Sequence, residues 1–497
     1  MDIDLRRILR LTKSNEKKVS NPNQMALDLV EAGNNDNDYG IMERVTNHIP
    51  DGISPRLLYR DIIRIAWPSF LELTLTQLTS MVDMMMVGGL GSWAIAAVGL
   101  TTQPKFLLMI MFMSMNVGST ALIARYKGEG SPDKANMVLK QALMLTFALS
   151  AIASLIGFVF SESFVRFMGA ADEITLKQGS IYLKIQMIGF VPLALTSTVT
   201  AALRGVGNSR TAMAYNLLAN AVNVVFNYLL INGKFGFPRM EVAGASLATI
   251  IGQAVAFLLA MLVILRGNQY LSFHFRNGMK PDWQTVKSIF NIGIPAMVEQ
   301  IFMRIGMIMY VKTVATLGTV AYATHQICMN IQAMSFMNGQ AFAVSGTSLV
   351  GQSLGKRRPD MAQAYSSRTR RVGMLVSIVL GMVFFFLGRP IVSLYTKEAE
   401  VIAQGAKILK LVALVQPLQS SQFILAGALR GAGDTRATAL ISFITILIIR
   451  PGVAILAVNL LNLGLEGAWY ALLIDQAIRS MLVLLRYNSG KWKSIKV

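Results

Sequence analysis

The sequence is poor in the residues on which metal, redox and hydrolytic sites depend. It has one cysteine, Cys328, so no intrachain disulfide can form. Its three histidines, His48, His274 and His325, are too far apart to make a metal-ligand spacing. No G-x-x-x-x-G-K-[ST] loop is present, so the chain is not an ATP-driven pump by itself, and no nucleophile–base constellation suggests a membrane enzyme. Charge is also scarce. Charged residues are 14% and hydrophobic residues 54%, with a mean hydropathy of +0.51. Soluble proteins average roughly 25% charged, which excludes a soluble multidomain enzyme. Acidic residues are the rarer sign, 26 against 46 Lys and Arg, a net +20. In a soluble chain that imbalance would suggest nucleic acid. In an apolar chain it is the signature of basic loops that orient helices and meet anionic lipid, and no nucleic-acid partner is expected.

Long apolar runs fill most of the 497 residues. A spanning helix needs about 20 mainly apolar residues. Twelve such runs are predicted, near 61–87, 94–122, 136–160, 175–201, 210–232, 242–265, 286–312, 319–350, 366–388, 401–428, 437–461 and 465–486. The eighth is long and sprinkled with polar residues, which predicts a bend or tilt. Residues 1–56 are polar, lack the apolar core of a cleavable signal, and read as a disordered or partly helical cytosolic extension.

The chain also repeats itself. At a shift of 227 residues Pro68 and Glu72 fall on Pro295 and Glu299, and Gly128 and Pro132-Asp133 fall on Gly355 and Pro359-Asp360. At 226, Ala202-Leu203-Arg204-Gly205 falls on Ala428-Leu429-Arg430-Gly431, and at 223, Gly244-Ala245 and Gln253 fall on Gly467-Ala468 and Gln476. The organisation expected is a cytosolic extension (1–56), a first lobe (57–265), a cytosolic linker (266–284), a second lobe (285–487) and a cytosolic tail (488–497). Six spans per half is an even number, so the halves enter the membrane from the same side as parallel repeats, with a cavity between them. Loops on the terminal side carry 17 Lys and Arg and those opposite carry 5, which predicts cytoplasmic termini. The fold class predicted is an all-α integral membrane protein, twelve helices in two homologous six-helix bundles around a central cavity.

Ionisable residues inside spans are costly, about 2.5–3.5 kcal/mol at a helix centre, and mark candidate sites. Glu72 and Glu299 occupy equivalent positions well inside spans one and seven. Each could face a cationic substrate or carry a proton; each could equally be bonded within its lobe. With Gln77, Met334 and Gln419 they are the candidates for the substrate cavity. Asp83 sits in Met81-Val82-Asp83-Met84-Met85-Met86, toward the far end of span one. Span five carries Asn216, Asn220, Asn223 and Asn227 at spacings of four, three and four, on one helical face. Asp83 with Asn223, Asn227 and Thr249 could hold sodium or a proton; the competing reading is an interhelical hydrogen-bond seam. Arg450 and Asp475 are expected to form a structural ion pair, and Arg304 to partner Glu299 or Glu72. Methionine is abundant, 30 residues, with clusters in spans two and eight that would suit an adaptable cavity. The turn Arg204-Gly205-Val206-Gly207-Asn208-Ser209-Arg210 reads as a tight cytoplasmic turn with lipid-facing arginines rather than a phosphate loop.

These stretches resemble the multidrug and toxic compound extrusion (MATE) family of secondary transporters over about residues 57–487. The resemblance rests on Ile65-Ala66-Trp67-Pro68, Val82-Asp83 through Gly88-Gly89-Leu90-Gly91 and Ala202 through Asn208. In the second half it rests on Gly293-Ile294-Pro295, Leu349 through Gly355 and Ala428 through Thr435. It implies two bundles working by alternating access, and export of cationic amphipathic compounds in exchange for sodium or protons. No further cofactor is implied, and the setting is the plasma (inner) membrane, with a monomer sufficient. In bacterial members a cation site uses the span-one aspartate, here Asp83, with an asparagine and an aspartate in span five. Those two positions look like Asn223 and Asn227, so an amide replaces the second carboxylate, which lowers expected sodium affinity and favours protons. The second-lobe carboxylates of other members are missing: Gln419 follows Gln416-Pro417, and Met303 and Arg304 stand near the span-seven position. The rival expectation is a flippase for a lipid-linked or polysaccharide precursor on a related two-bundle architecture.

Overall fold

The computed structural model describes residues 53–495 except 171, 268–269 and 274–279. Residues 1–52 of the N-terminal extension, His48 and His274 lie outside the described residues, and the first helix begins at Pro55 within that extension. Helices account for the architecture: α1 (Pro55–Gly88), α2 (Ser92–Glu129), α3 (Pro132–Val159), α4 in two segments (Glu173–Ile188 and Phe190–Gly205), α5 (Ser209–Asn232) and α6 (Glu241–Arg266). The second half contains α7 (Trp283–Ala315), α8 (Thr319–Gly355), α9 (Pro359–Ser393), α10 (Ala399–Gly431), α11 (Thr435–Leu460) and α12 (Gly464–Asn488). Among the described residues nine helices are long and apolar enough to cross a membrane, and α4 passes when its two segments count as one bent span. The remaining two, α1 and α8, have 34 and 37 residues and fall outside that apolarity test. Both face the other lobe, where a fully apolar surface is not needed.

The helix ends follow local chemistry. Pro132 and Pro359 open α3 and α9, where a missing N–H costs nothing. Gly207 and Gly433, at φ 82° and 89°, end α4 and α10, and the next residue's N–H returns to Leu203 and Leu429 at 2.8 Å. Asn208 then caps α5 by accepting from Thr211. A sharp break falls in α4, bent by 50° at Gly189, while span eight is one continuous helix. Pro192 removes an N–H just past that break, and Gly189 lets α6 come close, since a Cβ there would lie 2.7 Å from Ile250 Cγ1. In α11 the helix widens to π-type turns over Phe443–Ile449 and Leu456–Leu460, on either side of Pro451.

Each lobe has its own apolar core, and the lobes exchange one helix face. Ile289 and Ile292 of α7 join the first-lobe cluster of Leu122, Leu139, Val199 and Leu203. Ile62 and Ile65 of α1 pack with Phe342, Leu349, Tyr365 and Ile424 of the second lobe. Ile62 and Ile289 are 227 residues apart, so the exchange obeys the repeat. α1 packs along α8, and α2 along α7 and α8.

Candidate functional site: an acidic cluster in one lobe and a closed seam between the two

α1 and α5 run parallel at a constant offset of 144 residues. Asn216 donates to Glu72 at 2.7 Å, Asn220 to Thr76 at 2.9 Å and Asn227 to Asp83 at 2.5 Å. The shared asparagine face is therefore a ladder, and only its upper half reaches Asp83. There the amide of Asn223 lies against the carboxylate; turned with its nitrogen toward Asp83, the orientation that satisfies both groups, it donates to both Asp83 oxygens at 3.0 and 3.1 Å and accepts from the Thr249 N–H at 3.2 Å. Gly252 sets the closeness of α6, because a Cβ would stand 2.9 Å from Ala219 O and 3.0 Å from Asn223 Cβ. The structure thus brings Asp83, Asn223, Asn227 and Thr249 together. No basic side chain contacts Asp83 among the described residues, and Asn227 Oδ1 is buried without a donor. A half-buried carboxylate beside a vacant amide oxygen can accept a proton or present oxygens to a hard cation.

Lys105, in the middle of α2, is a charged residue that sequence reasoning missed. Its Nζ donates to Gln186 at 2.6 Å, Gln186 donates to Ser246 at 3.1 Å, and Ser246 lies one turn from Thr249 on α6. The signal was there: a lone lysine in an apolar run whose repeat position, 227 residues on, is Gln332.

Glu72 and Glu299 are both held inside their lobes. Arg204 pairs with Glu72 at 2.9 Å and Arg430 with Glu299 at 2.6 Å. Asn216 bonds Glu72, and its repeat counterpart Ser442 bonds Glu299 at 3.1 Å, with Thr438 adding a 3.0 Å bond. The same triad is built twice. Two expectations are corrected by it. Arg204 turns inward to the carboxylate rather than out to lipid, and Arg304 partners neither glutamate. Arg304 instead lies 3.8 Å over the Phe106 ring, a contact between α7 and α2.

Among the described residues the second lobe has no counterpart of the Asp83 cluster; Tyr310 stands at the equivalent position. Besides Glu299 this lobe buries Asp475, which takes Arg450 as expected, bonded at 2.9 Å through Nε, and also Arg479, unforeseen although it lies one turn along α12. Arg479 Nε bonds Thr445 at 3.1 Å. Of the remaining cavity candidates, Gln77 is exposed, Met334 is half exposed, and Gln419 is buried in α10 with Oε1 unbonded. Among the described residues none of the three is hydrogen-bonded to Glu72 or Glu299.

The hydrogen bonds that cross between lobes gather at the end where α1 begins. Tyr365 donates to Asp61 at 2.8 Å, Ser345 to Ile62 O at 3.3 Å, and Ser348 and Gln352 to Gly205 O at 3.1 and 3.0 Å. At the seam, α2 and α8 cross at repeat-related glycines. A Cβ on Gly128 would stand 2.0 Å from Gln352 O, and one on Gly355 would stand 1.9 Å from Arg125 O. Arg125 and Gln352 are themselves 227 apart, so the contact is self-complementary about the pseudo-axis.

A polytopic membrane bundle made of two lobes in parallel repeat, one carrying an unpaired carboxylate, defines a transporter architecture. The MatE family profile matches residues 68–229 and again 295–456, two copies displaced by 227 residues. The chain belongs to this MATE family of transporters. It is similar to the probable multidrug resistance protein NorM of Thermotoga maritima, 29% identical over 90% of this chain and 96% of that one. It is also similar to multidrug resistance protein MdtK of Yersinia pestis, 25% identical over 86% and 94% of the two chains. A solved outward-facing MATE transporter shares the fold, with a TM-score of 0.81 at 21% identity, covering 88% of this chain and 97% of that one.

Proposed function

We propose that this chain is a secondary active multidrug efflux transporter that exports organic cations and other xenobiotics in antiport with protons or sodium. The observation that carries the reading is Asp83: a carboxylate in a span, held by two asparagines, with no cationic side chain against it among the described residues and a buried amide oxygen free beside it. Loading a cation there favours one arrangement of α1, α5 and α6, and the difference in affinity between facing states is what couples ion entry to drug release. The missing second carboxylate at Asn227 favours protons over sodium. The loop charges favour termini in the cytoplasm of a plasma membrane. The closed seam then lies on the cytoplasmic side, and the molecule, acting as a single chain, is outward-facing. The multidrug names of the similar proteins agree with this substrate class. The flippase reading would need a cationic central cavity for a diphosphate; Arg450 is tied up with Asp475 inside the second lobe and Arg304 is stacked on Phe106, so that reading is not favoured.

The test is efflux of a fluorescent organic cation from proteoliposomes, with proton and sodium gradients imposed separately. The expected result is transport under one gradient that disappears in Asp83→Asn. No efflux under either gradient from correctly inserted protein would overturn the proposal.

A further inference from the structure

The two repeats diverge most in charge where they meet. The turn after α2 reads Gly128-Glu129-Gly130-Ser131-Pro132-Asp133, and its counterpart after α8 reads Gly355-Lys356-Arg357-Arg358-Pro359-Asp360. The backbone is nevertheless the same. Both turns close with a bond from the residue five along, Ser131 to Tyr126 O at 3.0 Å and Arg358 to Ser353 O at 2.9 Å. Both need a left-handed residue, Gly130 at φ 70° and Arg357 at φ 56°. Glycine adopts that conformation without cost, whereas arginine does not. An arginine kept at a position that glycine fills in the sister repeat points to a task for its side chain.

That side chain lines a cavity of about 860 Å³ on the pseudo-axis. Arg125 and Lys134 contribute from the first lobe, Lys356 and Arg357 from the second, against one acid, Glu129. Glu129 is engaged by Lys134 at 3.6 Å, and Arg125 donates to Ile495 O at 2.9 Å. Lys356 and Arg357 have no ion-pair partner among the described residues. An open cavity with an excess of cations drawn from two bodies is a site for a compact polyvalent anion.

We propose that this cavity binds a phosphate-bearing anion and that the bound phosphate, held from both lobes, favours the closed seam. The headgroup of an anionic phospholipid and a soluble phosphate share this chemistry. Binding depends only on the cavity; the effect on the seam rests on the alternating-access reading above, and the two are read separately.

The experiment uses the full chain in nanodiscs of phosphatidylcholine alone, or with one-fifth phosphatidylglycerol, in phosphate-free buffer. Retained lipid is counted by native mass spectrometry. Seam width is measured between spin labels at Asp133→Cys and Asp360→Cys; the native thiol, Cys328, is buried, and its replacement by serine leaves only those labels. The variant is Lys356→Gln with Arg357→Asn, asparagine being the residue after glycine that best tolerates a left-handed backbone. The control, Arg266→Gln with Lys287→Gln, removes the same charge from exposed positions near the linker. The expected result is phosphatidylglycerol retention and a narrowed seam in the parent and control, with retention at least fivefold weaker in the variant. Narrowing by millimolar inorganic phosphate in phosphatidylcholine alone would assign the site to a soluble phosphate. Equal retention by variant and parent, or equal loss by variant and control, would overturn the proposal, because attraction would then belong to the whole basic face. Retention without any change in seam width would leave the site standing and overturn the closing effect.

Discussion

The two lobes share one plan and treat a carboxylate inside the span region in opposite ways. In the first, Asp83 is held by amides alone, with an amide oxygen left free beside it. In the second, Asp475 is clamped by Arg450 and Arg479, while Tyr310 fills the place of Asp83. A carboxylate with two arginines has no use for another cation; one with none against it is open to the cation proposed above. What the lobes share, the Glu72–Arg204–Asn216 and Glu299–Arg430–Ser442 triads and the glycine crossing, is scaffold. What they do not share is where transport chemistry is expected. The repeat is thus its own control experiment.

The contrast can be broken most sharply at the two aspartates. Asp83→Asn keeps the amide geometry and should reduce ion-driven dye efflux to background with little loss of folded protein, measured by transport and thermal stability side by side. Asp475→Asn should do the reverse. Removing one member of a buried ion-pair network costs about 3–5 kcal/mol, so the folded yield in detergent should fall before any question of transport arises. Next in size come Gly128→Ala and Gly355→Ala. Each new methyl would meet a backbone carbonyl, so each should disfavour the closed seam by about 1–3 kcal/mol, seen as a wider label distance. Because the contact is self-complementary, the two should match, and a large inequality would count against the pseudo-symmetry. Glu72→Gln and Glu299→Gln should likewise destabilise by similar amounts, about 1–3 kcal/mol each, by denaturation in detergent. Arg304→Met should matter least, about 0.5–1 kcal/mol for the stacking on Phe106.

Much of this was legible in the residues. Apolar run length gave the spans, and the 227-residue shift gave the two-lobe plan, because both are properties of sequence spacing. The Asp83 cluster was legible because asparagines three and four apart must share a helix face. Partners supplied by distant helices were not. Arg204 and Arg430 sit at turns and look like loop charges until the fold carries them back to Glu72 and Glu299. Arg304 looked like a partner for those glutamates because they share a helix or a repeat position, but inter-lobe packing set it over Phe106. Lys105 was hidden inside a run read as mainly apolar, and the sharp 50° break in span four, where Gly189 and Pro192 lie together, was not anticipated.

The central claim is that the cation site belongs to the first lobe alone. The most direct measurement is cation binding to the purified protein, as proton uptake and as radiolabelled sodium, for wild type, Asp83→Asn and the charge-free second-lobe variant Arg450→Met with Asp475→Leu and Arg479→Met. The account predicts a single saturable site, for one of the two ions, that vanishes in Asp83→Asn and persists in the folded second-lobe variant. Binding that survives Asp83→Asn and disappears with the Asp475 network would contradict it.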